Sequence, residues 1–198
     1  MSQKTLEFFF DVASAYSYLS TSQIAPLCLK TGAKARWRPF LLGAVFKETG
    51  NDMPARIPAK AQWIVQDVPL WAKLYNMEFR LPSRFPINSL KAQRFLVAAG
   101  RLFGEDAIPT LGIPLFGAYW VDDRDIADPE ELKQIASHAG FDGDALLAAI
   151  DAPETKAQLK ANTDEAVARG AFGAPTFFVG EQLFWGNDRL HFVEEALR

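Results

Sequence analysis

Residues 8–19 read FFFDVASAYSYL. The apolar run stops at a small polar residue, Ser14, and is followed by apolar residues at helical spacing. This pattern predicts a buried strand over residues 5–12 and a helix over residues 15–30 that ends at Gly32. The first amides of a helix have no partner within the helix, so the junction at Ser14 is a candidate for stabilising an anion.

Composition limits what this junction can belong to. The 198 residues are 49% hydrophobic, which indicates one domain, or one domain with a large insertion. The 21 basic and 24 acidic residues are interspersed and give a net charge of −3, so no basic stripe is available for nucleic acid. We find no signal peptide and no apolar run near the roughly 20 residues of a membrane span. We therefore expect a cytoplasmic protein that binds neither nucleic acid nor a membrane.

The thiol and imidazole side chains are few. Cys28 is the single cysteine, which excludes an intramolecular disulfide and a Cys-x-x-Cys redox pair. It stands between Leu27 and Leu29 in a helical stretch, so we expect a small buried hydrophobe in the core. His138 and His191 lie far apart without clustered cysteines or carboxylates, so we expect surface residues and no metal site.

The middle of the chain is dominated by helical spacing. Residues 35–42 predict a second strand, joined to the first by the helix and therefore parallel to it. Residues 43–59 contain glycines and prolines that predict a long loop. Residues 60–168 have apolar residues at three- and four-residue intervals. The predicted helices there are 60–75, 88–104, 107–119, 129–138, 142–150 and 153–169.

The strand signal returns near the end of the chain. Residues 176–185 predict two strands around a tight turn at Gly180-Glu181, and residues 188–197 predict a closing helix. The order of elements predicts an α/β, thioredoxin-like fold interrupted by a large all-helical insertion. The thioredoxin-like domain is predicted to be discontinuous, over residues 1–59 and 169–198, with the insertion over residues 60–168. This order places Ser14 beside the loop that contains Ala174-Pro175.

Four motifs in this order carry a family resemblance. They are residues 10–19, Gly50-Asn51 with Lys60, residues 172–176, and residues 185–190. Together they resemble the 2-hydroxychromene-2-carboxylate isomerases, which are relatives of the kappa-class glutathione transferases. The resemblance covers nearly the whole chain and implies a DsbA-like thioredoxin fold of the DsbA/kappa type, a glutathione site and a homodimer. The chain departs from the family at Ala15, where proline is common; alanine adds an amide there.

Ser14 can be interpreted in two ways. Considered alone, it is explained as a helix cap. In a glutathione site, the thiolate would meet the positive end of the helix dipole and the amides of Ala15 and Tyr16, and the Ser14 hydroxyl would donate a hydrogen bond to the sulfur. A neutral hydroxyl cannot deprotonate a thiol at pH 7 by itself, so we predict that Ser14 stabilises the thiolate and does not attack a substrate. The absence of a Gly-x-Ser-x-Gly motif argues against a serine hydrolase.

The resemblance implies further glutathione contacts. It implies a cis bond between Ala174 and Pro175, with the amide and carbonyl of Ala174 available to the cysteinyl backbone of glutathione. Asn187 and Asp188 either cap the last helix or bind the γ-glutamyl end. The predicted cofactor-binding residues are Ser14, Ala15, Tyr16, Asn51, Lys60, Ala174, Pro175, Asn187 and Asp188.

The resemblance also implies a planar, acidic substrate. Aromatic side chains at helical spacing either line its cavity or belong to the core, and they include Trp71 and Trp120. The predicted substrate-binding residues are Tyr75, Phe85 and Asn88. The implied activity is glutathione-dependent cis–trans isomerisation of aromatic-degradation intermediates by reversible thiolate addition. The alternatives are a kappa-like glutathione transferase and a non-catalytic, thioredoxin-like binding module.

Overall fold

A computed structural model describes residues 3–198 of the chain. The strands are β1 (Thr5–Phe10), β2 (Lys34–Pro39), β3 (Thr176–Val179) and β4 (Gln182–Trp185). The helices are α1 (Ala15–Thr31), α2 (Leu42–Thr49), α3 (Pro58–Leu74), α4 (Leu90–Phe103), α5 (Ala107–Trp120), α6 (Pro129–His138), α7 (Gly143–Ala149), α8 (Pro153–Ala168) and α9 (Leu190–Leu197). Short 3-10 turns occupy Pro54–Arg56 and Asn187–Arg189.

The strands form one mixed sheet in the order β2-β1-β3-β4. β1 and β2 are parallel, whereas β3 is antiparallel to both β1 and β4. Because parallel strands need a crossover connection, α1 links β1 to β2 as expected. The hairpin β3-β4 then places β3 beside β1 and β4 at the edge of the sheet.

One face of the sheet holds the larger part of the core. Side chains alternate along a strand, so Phe8 and Phe10 share this face. The ring of Phe8 stacks on Phe177 at 5.2 Å and meets the edge of Trp37 at 4.9 Å. Buried side chains from α1, α4, α5 and α9 complete the cluster. Helices of the predicted insertion and strands of the thioredoxin-like part therefore share one core.

The opposite face of the sheet packs on α2 and α8. Phe9 contacts Phe40 and Phe178, with ring centroids 6.0 and 5.6 Å apart. Val45 of α2 and Ala166 of α8 complete this cluster. α8 is thus a structural layer of the sheet.

A network of two arginines and two glutamates closes this second face. Arg38 is buried and lies over the ring of Phe9, 4.7 Å from its centroid. It donates to Glu7 at 2.9 Å and also to Glu165. Arg169 donates to the same two carboxylates, at 2.7 and 3.1 Å. The shared carboxylates join β1, β2 and α8 by charge-assisted hydrogen bonds.

The carboxyl ends of β1 and β2 are tied by one side chain of α4. Gln93 is 0% exposed and donates to the carbonyls of Phe10 and Phe40 at 2.8 and 2.7 Å. Its own oxygen accepts from the Val12 amide at 3.3 Å. One side chain of α4 therefore pairs with three backbone groups at this buried junction.

Asp11 completes the same junction. Its carboxylate is buried and accepts from the amides of Ala13 and Leu42 and from the hydroxyl of Ser89, at 3.0, 2.9 and 3.0 Å. Burial raises the pKa of Asp11, and the three hydrogen bonds oppose that shift. Because Asp11 turns to these partners, β1 ends at Phe10 and not at residue 12.

The prediction of a loop over residues 43–59 was wrong in its first half. The structure has helix α2 over Leu42–Thr49 and a 3-10 turn over Pro54–Arg56. The Leu42 amide binds Asp11, and Val45 is buried against the sheet, so tertiary contacts stabilise this short helix. β2 consequently ends at Pro39 and not at residue 42.

The remaining predicted elements are present with small shifts. The six predicted helices of residues 60–169 correspond to α3–α8. The division at residues 59/60 and 168/169 stays a prediction. Cys28 is half-buried against the core, and His138 and His191 are exposed.

None of the helices in residues 3–198 combines the length and the apolar character that crossing a bilayer requires. That part of the chain also has no group of three or more His, Cys, Asp or Glu side chains placed to hold a metal ion.

Replacing Gln93 by leucine tests the junction. The substitution keeps the side-chain volume but leaves the Phe40 carbonyl and the Val12 amide unpaired, while the Phe10 carbonyl keeps its bond from the Phe40 amide. We therefore expect a loss of about 3 kcal/mol in the free energy of unfolding. Urea denaturation measures it. Gln62→Leu at an exposed position of α3 is the matched control and should change stability by less than about 0.5 kcal/mol. Equal denaturation midpoints for the two variants would contradict the role of Gln93.

A second prediction concerns acid stability. The pKa of Glu165 lies below its usual 4.5. Burial raises this pKa, but the hydrogen bonds and charges of Arg38 and Arg169 lower it by more. A lowered pKa contributes stability above the unfolded-state pKa, and that contribution is lost as pH falls through the folded-state value. Thermal unfolding between pH 7 and pH 3 should therefore show a smaller acid-induced loss for Glu165→Gln than for the parent protein. The difference should stay below about 1 kcal/mol because Glu165 is partly exposed. An equal acid-induced loss of stability in the parent protein and in Glu165→Gln would contradict this prediction.

Candidate active site

Ser14 is the N-cap of α1 and lies against the loop before β3. Its backbone is extended, with φ −96° and ψ 116°. Its hydroxyl oxygen accepts from the Ser17 amide at 3.2 Å, and its hydroxyl proton is donated to the Ala174 carbonyl at 3.2 Å. The side chain is only 8% exposed. The structure therefore brings together Ser14 and Ala174, two residues of the predicted site.

The first turn of α1 presents positive charge beside Ser14. The helix is 17 residues long and has no acidic residue in its first turn. The amides of Ala15 and Tyr16 precede the first intrahelical bond, so they have no partner within the helix. Ser17, one turn on, is buried, and its hydroxyl has no hydrogen-bond partner in the described chain. This end of α1 suits an anion.

The loop over residues 172–175 has its carbonyls occupied. The bond between Ala174 and Pro175 is cis, as the resemblance implied. Each of the four carbonyls accepts a hydrogen bond. The Phe172 carbonyl accepts from the Asn51 side-chain amide, and the Gly173 carbonyl accepts from the Thr176 hydroxyl, both at 2.8 Å. The Ala174 carbonyl accepts from the Ser14 hydroxyl at 3.2 Å, and the Pro175 carbonyl accepts from the Gly186 amide at 3.0 Å. The Ala174 amide has no acceptor among residues 3–198.

Asn51 and Trp185 hold the start of this loop. The Asn51 side chain donates to Phe172 and accepts from the Asp52 amide at 2.9 Å, so both of its ends are engaged. The rings of Phe172 and Trp185 lie 4.9 Å apart. A Cβ at Gly173 would stand 2.6 Å from the indole nitrogen of Trp185, so a larger residue at this position would have to displace that ring. Asn51 thus positions the loop, and its contact with glutathione stays a prediction.

Two tyrosines connect α3 and the residue after it to α1 and to the segment before α9. The Tyr16 hydroxyl donates to Asp67 of α3 at 2.8 Å, and the Tyr75 hydroxyl donates to the Asn187 carbonyl at 3.1 Å. Burial, followed by the hydrogen bond and charge of Asp67 and the charge of Asp188, raises the pKa of Tyr16. Burial also raises the pKa of Tyr75, with the charge of Asp188 adding to it and the Asn187 contact opposing it. Both phenols therefore stay protonated at neutral pH.

These contacts bring Tyr16, Tyr75, Asn187 and Asp188 of the predicted set into one region. Asp67 was missed by sequence reasoning, because a lone acidic residue on a helix resembles a solvated surface residue. The signal that could have found it is its place in α3, the helix that ends directly before the predicted Tyr75.

A groove of about 350 Å³ runs from this region between α1, α3 and α9. Trp71 and Tyr75, with rings 5.4 Å apart, line it beside Asn187 and Asp188. The Asn187 side-chain nitrogen is buried without a partner in the described chain. Asp188 pairs with Arg189 at 2.6 Å, and no side chain caps α9. Of the two interpretations of Asn187 and Asp188, the helix cap is therefore wrong.

The remaining candidates lie further from Ser14 along the chain. Trp120 is 1% exposed and its indole donates to the Val12 carbonyl at 2.8 Å, so of its two interpretations the core residue is the one observed. Phe85 packs against it at 6.0 Å. Asn88 is exposed and accepts from the Leu90 amide at 3.0 Å, at the start of α4.

Lys60 is exposed in the first turn of α3. Its contact with a ligand stays a prediction, as do the substrate contacts of Tyr75, Phe85 and Asn88.

Comparison with known proteins gives a consistent family. A model described as a DSBA-like thioredoxin domain matches residues 5–198. The 2-hydroxychromene-2-carboxylate isomerase of Sphingobium xenophagum is 31% identical over 196 residues, 98% of each chain. Glutathione S-transferase kappa 1 of Rattus norvegicus is 28% identical, over 98% of this chain and 91% of the relative.

A solved structure of a 2-hydroxychromene-2-carboxylate isomerase matches with a TM-score of 0.87 at 24% identity. The match covers 98% of this chain and 94% of that chain. The predicted fold class and the family resemblance are thereby confirmed. The chain belongs to the DsbA-like thioredoxin family, in which its relatives include 2-hydroxychromene-2-carboxylate isomerases and kappa-class glutathione transferases.

Proposed function

We propose that this protein is a glutathione-dependent cis–trans isomerase of conjugated aromatic acids resembling 2-hydroxychromene-2-carboxylate. One observation carries the proposal: a serine, and not a cysteine, stands at the start of α1 against the Ala174 carbonyl. The single Cys28 lies 14 positions further along α1, about 20 Å away at 1.5 Å per residue. The reactive sulfur must therefore arrive with a ligand, and a kappa relative is named for its use of glutathione.

Glutathione would bind along the start of α1. The thiolate would lie at the amides of Ala15 and Tyr16, where the helix dipole favours the anion. Ser14 would donate to the sulfur. The cysteinyl backbone would pair with Ala174 beside Pro175, like an added strand.

The two ends of the tripeptide would meet opposite sides of the site. The γ-glutamyl end would bind at Asn187 and Asp188, where an unpartnered amide group and a carboxylate suit its carboxylate and ammonium groups. The glycyl end would lie toward Lys60 and Asn51, the first of which supplies an exposed cation.

The reaction follows from a bound thiolate. The sulfur adds to the electron-poor carbon of a conjugated double bond, and the electron pair moves onto the carbonyl oxygen as an enolate. The former double bond is now single and rotates. The enolate then re-forms the double bond and expels the thiolate, so glutathione is regenerated. Amide and cationic groups of the site would stabilise the enolate.

The insertion would supply the substrate side of the cavity. We assign Tyr75, Phe85 and Asn88 to it, because Tyr75 directly follows α3, which packs on α1, and the other two lie in the segment before α4. The substrate class places the reaction in the breakdown of aromatic compounds. We also propose a cytoplasmic location, since a chain with one cysteine has no disulfide to form.

The same thiolate would serve a second candidate function. A kappa-like transferase would join glutathione to an electrophile and release a leaving group, and the rat relative supports this option. A third, non-catalytic function is the binding of glutathione or a cysteinyl peptide at Ala174.

We further propose a homodimer. The outer face of α3 supports it: Trp63, Leu70 and Leu74 lie on one side of the helix and are 56, 67 and 70% exposed. An apolar face of this kind on a helix marks an interaction surface.

Parallel assays with and without glutathione test the activity. We expect ultraviolet-monitored isomerisation of a hydroxychromene carboxylate only when glutathione is present, and little conjugation of a chlorinated aromatic. Ser14→Ala should lower kcat/KM about 10- to 100-fold, because a hydrogen bond to a charged sulfur is lost. Ser22→Ala in the same helix is the control and should keep full activity.

Other outcomes are equally informative. Conjugation without isomerisation would favour the transferase. Glutathione binding without either reaction would favour the binding module. An unchanged rate for Ser14→Ala would remove Ser14 from the mechanism.

Sedimentation velocity tests the dimer. The parent protein should sediment as two chains, and Trp63→Glu with Leu70→Glu should give one chain, because charges would be buried at the interface. Leu102→Glu, at a comparably exposed position of α4, should remain dimeric. A monomeric parent protein would rule out the proposal.

A further inference from the structure

The Ser14 hydroxyl has one proton, and that proton is already in use. It is donated to the Ala174 carbonyl, while the oxygen accepts from the Ser17 amide. A serine hydroxyl has a single donor, so it cannot donate to the carbonyl and to a thiolate at the same time. The residue is buried, so water is poorly placed to replace either partner.

Moving this proton to a sulfur therefore has a cost. Of the four carbonyls in the 172–175 loop, the Ala174 carbonyl accepts its hydrogen bond from Ser14. The other three carbonyls have other donors. If the hydroxyl rotates away, this partly buried carbonyl loses its donor, which is unfavourable. A thiol that brings no replacement donor gains little from Ser14.

A peptide thiol brings that donor. A ligand that pairs with Ala174 as an added strand makes two hydrogen bonds. The ligand carbonyl accepts from the Ala174 amide, and the ligand N–H donates to the Ala174 carbonyl. The Ala174 amide is available, since it has no acceptor in the described chain. The ligand N–H then satisfies the carbonyl, and the Ser14 hydroxyl can turn to the sulfur at no loss.

We propose that backbone pairing and thiolate formation are coupled in this site through the Ser14 hydroxyl. The cysteinyl N–H of the ligand takes over the Ala174 carbonyl, and the Ser14 hydroxyl passes from that carbonyl to the sulfur. The thiol proton leaves to solvent, and the serine keeps its own. This proposal rests on the proposed use of glutathione. It makes the site selective for thiols of peptide type, because other thiols leave the hydroxyl on Ala174.

The pKa of the bound thiol is the first test, read from thiolate ultraviolet absorbance at saturating ligand. The ligands are glutathione and its depsipeptide analogue, in which an ester oxygen replaces the cysteinyl N–H. With glutathione, the acid dissociation constant should be about tenfold larger on the parent protein than on Ser14→Ala. With the depsipeptide, the two proteins should give the same constant. An equal Ser14-dependent increase for both ligands would overturn the coupling.

Calorimetry with S-methylglutathione gives a second test that needs no thiolate. This ligand has the peptide N–H but no thiol to receive the hydroxyl. It should bind Ser14→Ala at least as tightly as the parent protein, whereas glutathione should bind the variant about tenfold more weakly. Equal weakening of both ligands would overturn the coupling while leaving glutathione use intact. Failure of glutathione to bind the parent protein would overturn the proposed function and the coupling together.

Discussion

Buried polar groups at the end of a strand must find partners, and this constraint organises the molecule. β1 ends beneath the start of α1, where the Phe10 carbonyl, the Val12 amide and the Asp11 carboxylate are all removed from water. Gln93 and Ser89 of the helical segment supply the donors and acceptor. The strand end from which Ser14 follows is therefore held by side chains of the helical segment.

Local pattern was sufficient for most of the fold. Phe8 and Phe10 face one cluster and Phe9 the other, as alternation along a strand requires. The spacing of apolar residues predicts the long helices, and the turn residue Gly180 predicts the final hairpin. α2 could not be predicted in this way. It has eight residues, and it is stabilised by a contact between Leu42 and Asp11, 31 positions apart in the sequence.

The site was predictable as a neighbourhood and not as a set of hydrogen bonds. Topology brought Ser14 to Ala174, although 160 positions separate them. The partner of the hydroxyl, the engagement of Asn51 with Phe172, and the pairing of Tyr16 with Asp67 are tertiary contacts without a local signature. For Trp120 the sequence left two interpretations open, because helical spacing does not distinguish a cavity wall from a core residue.

α8 has a consequence for how such proteins can diverge. It follows the other insertion helices in sequence, yet it covers the sheet face that holds Phe9 and supplies Glu165 to Arg38. Removing all the helices from α3 to α8 would expose the ring of Phe9 to water and leave the buried Arg38 guanidinium without Glu165. These helices therefore cannot be removed as an independent unit. α8, like α4 with its Gln93, can therefore change only together with the strands that it contacts.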